Sequence, residues 1–166
     1  MKTLLWTNEA ATQAFAEALA RKPALHNAFI ELEGELGAGK TTLVRHLLRA
    51  LGVQGRIKSP TYAIVENYSV PALPNQADAA VAADLVTDNT TVSHFDFYRF
   101  SDPREWEEAG FRDIFASPGL KLVEWAANAR AALPPADLVI TIAPQTDDTR
   151  QVRLQAHTAV GEALLA

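Results

Sequence analysis

The chain has 166 residues, of which 48% are hydrophobic and 21% are charged, and it carries a formal net charge of −5 and no cysteine. These values predict one globular domain over residues 1–166, and they exclude disulfides, thiolate metal sites and cysteine nucleophiles. They also argue against binding of nucleic acid through a concentrated basic face, so any nucleic-acid connection is expected to run through a partner.

The N-terminal segment predicts a short edge strand followed by a helix. The strand covers residues 2–6, and its apolar part is too short for a signal peptide core or a membrane span. Thr7 or Asn8 supplies the N-cap of a helix that runs to about Lys22 and ends before Pro23. We therefore expect a cytoplasmic protein with no membrane contact.

The next stretch is a complete phosphate-binding loop between a strand and a helix. Residues 34–41 read Gly-Glu-Leu-Gly-Ala-Gly-Lys-Thr, which matches the pattern G-x-x-x-x-G-K-[ST]. Residues 29–33 predict the preceding strand, and residues 42–51 predict the following helix, which Gly52 closes. The glycines let the backbone curl so that N–H groups and the helix N-terminus face phosphate oxygens.

The loop pattern predicts a nucleotide ligand and a role for individual residues. Lys40 would reach the β- and γ-phosphates, and Thr41 would ligate Mg²⁺. We expect ATP rather than GTP, because the guanine motif Asn-Lys-x-Asp does not occur in the chain. The residues expected to surround the phosphates are Glu35, Leu36, Gly37, Ala38, Gly39, Lys40, Thr41 and Thr42.

A loop over residues 54–60 and a strand over residues 61–68 are predicted next, the strand because of its β-branched and aromatic residues. P-loop nucleotidases often place a hydroxyl that senses the γ-phosphate in such a loop. Thr61 and Ser59 are the candidates for this hydroxyl, although both are also ordinary loop residues.

The composition changes after this strand, with prolines and many alanines between residues 69 and 89. We interpret this segment as a long excursion from a hairpin with one weak Ala-rich helix at its centre. It predicts an insertion at about residues 69–90 that is mobile or contacts a partner.

Two later strands each place an acid where it could reach the loop. Residues 91–98 predict a strand that carries Asp96, and P-loop enzymes hold Mg²⁺ with the loop hydroxyl and an acid from a neighbouring strand. The alternative for Asp96 is a structural cap, and His94 is interpreted as a packed or surface residue rather than a base. Residues 120–125 predict a second strand, and Glu124 near its end is a candidate for binding Mg²⁺ or for orienting water. Trp125 is a candidate either for the wall of the site or for the core.

The remaining elements predict the rest of an α/β fold. Two short helical segments surround Gly110, and a brief helix is predicted over residues 128–133. Residues 138–142 and 151–156 predict an antiparallel pair at the sheet edge, followed by a last helical turn over residues 161–166. Together the elements predict a three-layer P-loop NTPase fold, with a mostly parallel sheet, antiparallel edge strands and helices on both faces.

Five motifs occur in order over most of the chain. They are Gly-Glu-Leu-Gly-Ala-Gly-Lys-Thr-Thr at 34–42, Lys-Ser-Pro-Thr-Tyr at 58–62, His-Phe-Asp-Phe-Tyr-Arg at 94–99, Glu-Ala-Gly-Phe-Arg-Asp at 108–113 and Val-Glu-Trp at 123–125. This ordered set resembles the bacterial TsaE family, also called YjeE. The resemblance implies a small P-loop ATPase required for threonylcarbamoyladenosine in tRNA. It also implies action with TsaD, the transferase, and its relative TsaB, to assemble or reset their complex, so that tRNA is reached only through that complex.

The resemblance also implies roles for single residues. It puts Thr41 and Glu124 on Mg²⁺, makes Asp96 the strand acid of the active site, and makes Thr61 a switch-like hydroxyl near the γ-phosphate. It makes Trp125 a functional wall. The same resemblance places the start of the first helix, at Asn8 and Glu9, near the adenine. The insertion is longer than the hairpin expected in the family, which puts in doubt the partner contact on that side.

These residues predict Mg²⁺-assisted attack of water on the γ-phosphate of ATP. Lys40 would neutralise charge, Thr41 and Glu124 would hold the metal, and Asp96 would orient metal waters or the attacking water, although which acid binds the metal directly stays open. Arg99 and Arg112 are the candidates for an arginine finger within the chain. The alternatives are a small-molecule kinase and a nucleotide-gated scaffold that hydrolyses ATP only incidentally.

Overall fold

The structure, a computed structural model, describes residues 1–71 and 89–166. The strands in these ranges are β1 (Lys2–Trp6), β2 (Phe29–Glu33), β3 (Val65–Val70), β4 (Thr90–Asp96), β5 (Leu120–Glu124), β6 (Leu138–Pro144) and β7 (Arg150–Ala156). The α-helices are α1 (Glu9–Ala20), α2 (Lys40–Ala50), α3 (Pro103–Glu108), α4 (Phe111–Ala116) and α5 (Ala159–Leu165), and two 3-10 turns cover Pro23–Asn27 and Ala126–Ala129.

All seven strands belong to one sheet in the order β1-β7-β6-β2-β5-β4-β3. The four central strands, β6, β2, β5 and β4, run parallel to one another. The outer strands β1, β7 and β3 pair antiparallel with their neighbours. A mixed sheet with a parallel centre and antiparallel edges is therefore confirmed. The loop that follows β2 lies at the carboxyl ends of the parallel strands, because β2 is one of them. Since β2 is the middle strand, this loop has parallel strands on both sides.

Alternate side chains of the central strands enter two hydrophobic clusters, one on each face of the sheet. In β5, for example, Leu122 belongs to the first cluster and Val123 to the second. The first cluster includes residues of α1, α2 and α5, and the second includes residues of α3 and α4. Helices therefore lie on both faces of the sheet, as predicted. Because successive side chains of a strand point to opposite faces, every second side chain faces α2.

The second cluster is largely aromatic and fixes the direction of Asp96. Phe95 and Phe97 precede and follow Asp96, and both are fully buried in this cluster. Their ring centroids lie 5.4 and 6.1 Å from that of Phe111, in edge-to-face arrangements that add to the stability of the packing. Since neighbouring residues point to opposite faces, the carboxylate of Asp96 is directed to the face that carries α2.

The start predicted for the third strand at residue 61 is wrong, because β3 begins at Val65. Residues 61–64 form a turn in which the Ile64 N–H donates to the Pro60 carbonyl at 2.6 Å, and Ile64 has φ +67°. The hydroxyl of Thr61 donates to Asp96 at 2.6 Å, and this side-chain bond replaces strand pairing there. The next strand likewise ends at Asp96 rather than residue 98, because the Asp96 carboxylate accepts from the Tyr98 N–H at 2.9 Å and closes a turn.

Other differences from the predicted elements are small. The helix predicted over residues 128–133 is a 3-10 turn at Ala126–Ala129, because Trp125 adopts a left-handed conformation, φ +58°, that reverses the chain directly after β5. The last helix begins two residues early, since Thr158 caps it by accepting from the Gly161 N–H. The 3-10 turn at Pro23–Asn27 was not predicted.

The predicted insertion lies mostly outside the described residues. Val70 and Thr90 are the last paired residues of the antiparallel β3–β4 hairpin, at the end where residues 71–89 connect the two strands. The predicted Ala-rich helix falls in residues 72–88, outside the part of the chain that the structure describes. In residues 1–71 and 89–166, no helix is long and apolar enough to cross a membrane.

An ion pair between a buried carboxylate and a half-exposed arginine ties the central strand to the segment after β5. Glu31 of β2 is only 1% exposed, and both of its carboxylate oxygens accept from Arg130 at 2.6 Å. The side chain of Arg130 is 52% exposed. Hydrogen bonding to Glu31 raises the pKa of Arg130. This bidentate pair holds the strand that leads into the phosphate loop.

We expect Arg130→Met to lower the free energy of unfolding by about 2–3 kcal/mol, because it leaves a buried carboxylate unpaired at the partly hydrated edge of the core. Urea unfolding at neutral pH measures this loss. In the double variant Glu31→Leu/Arg130→Met no charge remains buried, so it should lose less stability than Arg130→Met alone. Equal stability of Arg130→Met and the parent chain would contradict a stabilising role for the pair.

Candidate active site

Residues 34–39 curl tightly between β2 and α2, with three glycines at positive φ. Gly34, Gly37 and Gly39 have φ of +147°, +81° and +109°. A Cβ at Gly34 would lie 2.5 Å from the carbonyl oxygen of Ile142 in β6, so the loop packs directly on the neighbouring strand. Gly39 is the N-cap of α2 in a left-handed conformation. The curled loop and the first turn of α2 therefore present N–H groups to the same space.

Lys40 places a buried positive charge against this loop. Its Nζ donates to the carbonyls of Gly34 at 2.7 Å and Glu35 at 2.9 Å, and it lies 4.6 Å from the centre of the Trp125 ring. Burial lowers the pKa of Lys40, while Glu124 and other nearby acids act in the opposite direction. The ammonium group is thus held by the loop carbonyls and by an aromatic face.

Two buried acids stand beside the start of α2. Asp96 and Glu124 are paired in register on the parallel strands β4 and β5, and both are 3% exposed. The Thr41 hydroxyl donates to Glu124 Oε1 at 2.9 Å, and the Thr61 hydroxyl donates to Asp96 Oδ2 at 2.6 Å. Each acid is therefore bound to a hydroxyl from a different loop or helix.

His94 is a third buried polar residue next to these acids. Its Nε2 donates to Glu124 Oε1 at 2.8 Å, and its ring is fully buried. Its Nδ1 has no hydrogen-bond partner among the described residues. The interpretation of His94 as a packed residue is confirmed, but its bond to Glu124 was not predicted. The signal was its position two residues before Asp96, on the same face of the strand.

One cleft of about 400 Å³ contains most of the predicted site residues. Lys40, Thr41, Thr42, Thr61, Asp96, Glu124 and Trp125 all line it, together with Leu36, Gly37, Gly39, Ser59, Tyr98 and Arg99. The six side chains on which the predicted chemistry depends, Lys40, Thr41, Thr61, Asp96, Glu124 and Trp125, thus converge, although they come from four separate parts of the sequence. Their roles toward a nucleotide stay predictions.

Five predicted residues do not line the cleft, namely Asn8, Glu9, Glu35, Ala38 and Arg112. Asn8 caps α1 by accepting from the Ala11 N–H at 3.0 Å, and Glu9 contacts His46 of α2 at 2.9 Å. Their role near an adenine remains a prediction. Arg112 lies on the exposed surface, 3.7 Å from Glu107, whereas the other candidate arginine, at position 99, lines the cleft.

The donor atoms of the cleft suit a hard cation. The Thr41 hydroxyl and the carboxylates of Asp96 and Glu124 are oxygen donors, which Mg²⁺ prefers. Among the described residues no group of three or more His, Cys, Asp or Glu side chains could hold a metal ion by itself. Mg²⁺ commonly takes one or two protein carboxylates and completes its ligands with water and phosphate oxygens, and this donor set fits that habit.

Residues 6–152 match the family model described as "Threonylcarbamoyl adenosine biosynthesis protein TsaE". The chain belongs to the TsaE family. The family predicted from the five sequence motifs is therefore confirmed.

Individual members of the TsaE family resemble the chain over almost their whole length. The relative from Haemophilus influenzae is 36% identical, over 92% of this chain and 85% of the relative. The relative from Bacillus subtilis is 34% identical, over 97% and 89%. Both are named "tRNA threonylcarbamoyladenosine biosynthesis protein TsaE". The crystal structure of YdiB from Bacillus subtilis superimposes with a TM-score of 0.66 at 29% identity, covering 99% of this chain and 92% of YdiB.

In this TsaE-family chain we expect His94→Leu to lower the free energy of unfolding by about 1–3 kcal/mol, because the buried Glu124 carboxylate loses a donor. A double-mutant cycle with Glu124→Gln, followed by urea unfolding, measures the coupling between the two side chains. His94→Leu should cost less in the Glu124→Gln background. The same loss in both backgrounds would show that the charge of Glu124 adds nothing to this bond, since a glutamine side chain can still accept from His94.

Proposed function

We propose that this protein is a Mg²⁺-dependent ATPase that acts in the biosynthesis of threonylcarbamoyladenosine in tRNA, with TsaD-like and TsaB-like partners. The ATPase part depends on one observation, the convergence of Lys40, Thr41, Asp96 and Glu124 on the cleft beside the phosphate loop. The tRNA part is supported by family membership and by the names of the two relatives.

We also assign the sheet to the P-loop NTPase fold. The order of strand β2, the loop pattern at residues 34–41 and helix α2 supports this assignment, since it is the supersecondary unit of that fold. The acids at the carboxyl ends of the parallel strands β4 and β5 support it as well.

The protein side of the reaction follows from the side chains that are in place. Loop N–H groups and the start of α2 would bind the phosphates of ATP, and Lys40 would exchange its bonds to the Gly34 and Glu35 carbonyls for phosphate oxygens. The Trp125 ring beside Lys40 would exclude water from that wall of the cleft.

The two acids and their hydroxyl partners would bind the metal ion and orient water. Thr41 and Glu124 would hold Mg²⁺, with Asp96 as the neighbouring acid. Bound there, the metal would supply charge neutralisation at the phosphate oxygens. Asp96 accepts from Thr61 and would orient a water molecule by accepting one of its protons in a hydrogen bond. This arrangement works by positioning and charge rather than by a covalent intermediate.

The partners would control the rate. We propose slow ATP hydrolysis by the isolated chain and faster or gated hydrolysis in the complex with the TsaD-like and TsaB-like proteins. The chain would reset or assemble that complex and would contact tRNA only through it. We expect this activity in the cytoplasm, where tRNA substrates of such a complex are present.

Lys40→Ala is expected to reduce ATP hydrolysis at least about 100-fold, because it removes the positive charge that would face the transferred phosphate. Lys40→Met keeps the aliphatic stem and should have the same effect, which separates loss of charge from loss of packing. The exposed Lys2 of β1 provides the matched control, Lys2→Ala, which should hydrolyse ATP at the parent rate. Phosphate release is measured without any added acceptor, alongside circular dichroism to verify folding. Hydrolysis retained by folded Lys40→Ala would overturn the ATPase assignment, and phosphate release only with an acceptor would indicate a kinase.

Purified TsaD-like and TsaB-like proteins are expected to change the rate of ATP hydrolysis by the chain, because the proposed cycle is coupled to their assembly. The rate is measured with each partner, with both and with neither, and Lys40→Ala shows any hydrolysis that the partners contribute. Equal rates in all mixtures would contradict gating. Support of tRNA modification by a non-hydrolysable ATP analogue alone would identify a nucleotide-gated scaffold instead.

A further inference from the structure

Arg99 presents a positive charge at the mouth of the cleft. It lines the cleft, and its guanidinium carbon lies 4.3 Å from the centre of the Tyr62 ring. Tyr62 is 84% exposed, so this cation–π contact is formed in water, where such contacts are weak. No carboxylate pairs with the guanidinium among residues 1–71 and 89–166.

The backbone that carries Arg99 is held firmly. The Phe100 N–H donates to the Phe97 carbonyl at 3.0 Å, and Asn128 Nδ2 donates to the same carbonyl at 2.9 Å. Phe97 and Phe100 are both buried in the aromatic cluster. Rotation of the Arg99 side chain, without any backbone movement, would therefore carry the guanidinium from the tyrosine ring toward a ligand in the cleft. Arg99 lies three residues after Asp96, the acid of the candidate site.

The charges of the cleft favour such a movement when a phosphate is bound. Asp96 and Glu124 supply two carboxylates, whereas Lys40 supplies one buried ammonium group. A triphosphate adds further negative charge at the same place. A guanidinium binds phosphate oxygens through paired hydrogen bonds, which are stronger than its contact with an exposed ring.

The other arginines near the cleft or in the family motifs are engaged elsewhere. Arg150 Nε donates to the Ala38 carbonyl at 3.0 Å, and Arg150 does not line the cleft. Arg112 lies beside Glu107 on the surface and does not line the cleft. Arg99 is thus the arginine that the described part of the chain offers to a ligand in the cleft.

We propose that Arg99 is a catalytic residue, which leaves the Tyr62 ring when ATP binds and neutralises negative charge on the reacting phosphate. This inference rests on the proposed ATPase function. In the hydrolysis, the water oxygen bonds to the γ-phosphorus, and the bond from that phosphorus to the ADP oxygen breaks, so that ADP leaves with the bonding electron pair. The proton of the water passes to the departing phosphate and from there to solvent. Arg99 forms no covalent bond, so its contribution is charge and hydrogen bonding alone.

The test is single-turnover ATP hydrolysis by the full chain with Mg²⁺, together with the Kd for ATP from equilibrium binding. Arg99→Ala should lower the hydrolysis rate at least about 100-fold at saturating protein, as for loss of one group that stabilises transition-state charge. It should change the Kd by less than about threefold, since the charge acts mainly in the transition state. Arg99→Lys should recover part of the rate, and millimolar guanidinium should partly rescue Arg99→Ala. The matched control is Arg112→Ala, which should hydrolyse ATP at the parent rate.

The possible results separate the two proposals. A folded Arg99→Ala variant with the parent rate would overturn the role of Arg99 and leave the ATPase assignment standing. A rate loss explained entirely by a weaker Kd would also overturn it, because Arg99 would then be a binding residue only. If the parent chain binds ATP but releases no phosphate, alone or with its partners, the ATPase assignment fails and the role of Arg99 fails with it.

Discussion

Three parallel strands are held in register near their carboxyl ends, and the candidate site depends on that register. Leu32 of β2 is paired with Glu124 of β5, and Glu124 is paired with Asp96 of β4. The phosphate loop begins two residues after Leu32, so the loop and both acids emerge side by side at one edge of the sheet. A shift of β4 or β5 by one residue would turn Asp96 or Glu124 to the opposite face of the sheet, into the aromatic cluster. Packing of Phe95 and Phe97 in that cluster opposes such a shift.

Most polar groups of the candidate site are paired with a neighbour within the site, and Nδ1 of His94 is the exception among the described residues. Glu124 accepts from Thr41 and His94, Asp96 accepts from Thr61, and Lys40 donates to two loop carbonyls. Burial of these charges without partners would be costly, so each group that the proposed chemistry needs is held by a neighbour. A bound nucleotide would exchange these bonds for others of the same kind. In the proposed function, ligand binding would therefore affect helix α2, which carries Thr41, and the turn that carries Thr61.

The parts of the site that depend on local pattern could be predicted from the sequence, and the parts that depend on pairing between strands could not. The phosphate loop is a contiguous motif whose glycines, lysine and threonine carry their own geometry. Asp96 and Glu124 were found because acids near strand ends are readable in sequence. The bond between His94 and Glu124 depends on the register of β4 and β5, which no local pattern records. The start of β3 was misplaced for a similar reason, since the bond from Thr61 to Asp96 joins residues 35 positions apart and overrides the β-propensity of the segment.

Gly34, the first glycine of the motif, lies very close to β6, and a glycine is therefore required there for a different reason than at the other positions. Space for a side chain is missing at Gly34 because the Ile142 carbonyl occupies it, whereas nothing lies within 4 Å of the position that a Cβ at Gly37 would take. Gly37 is needed for its backbone conformation alone. Gly34 is also a packing residue of the sheet, and its replacement would displace a strand that contributes nothing to the cleft lining. The first position of this motif is thus constrained by the short distance between the loop and β6, and not only by a ligand.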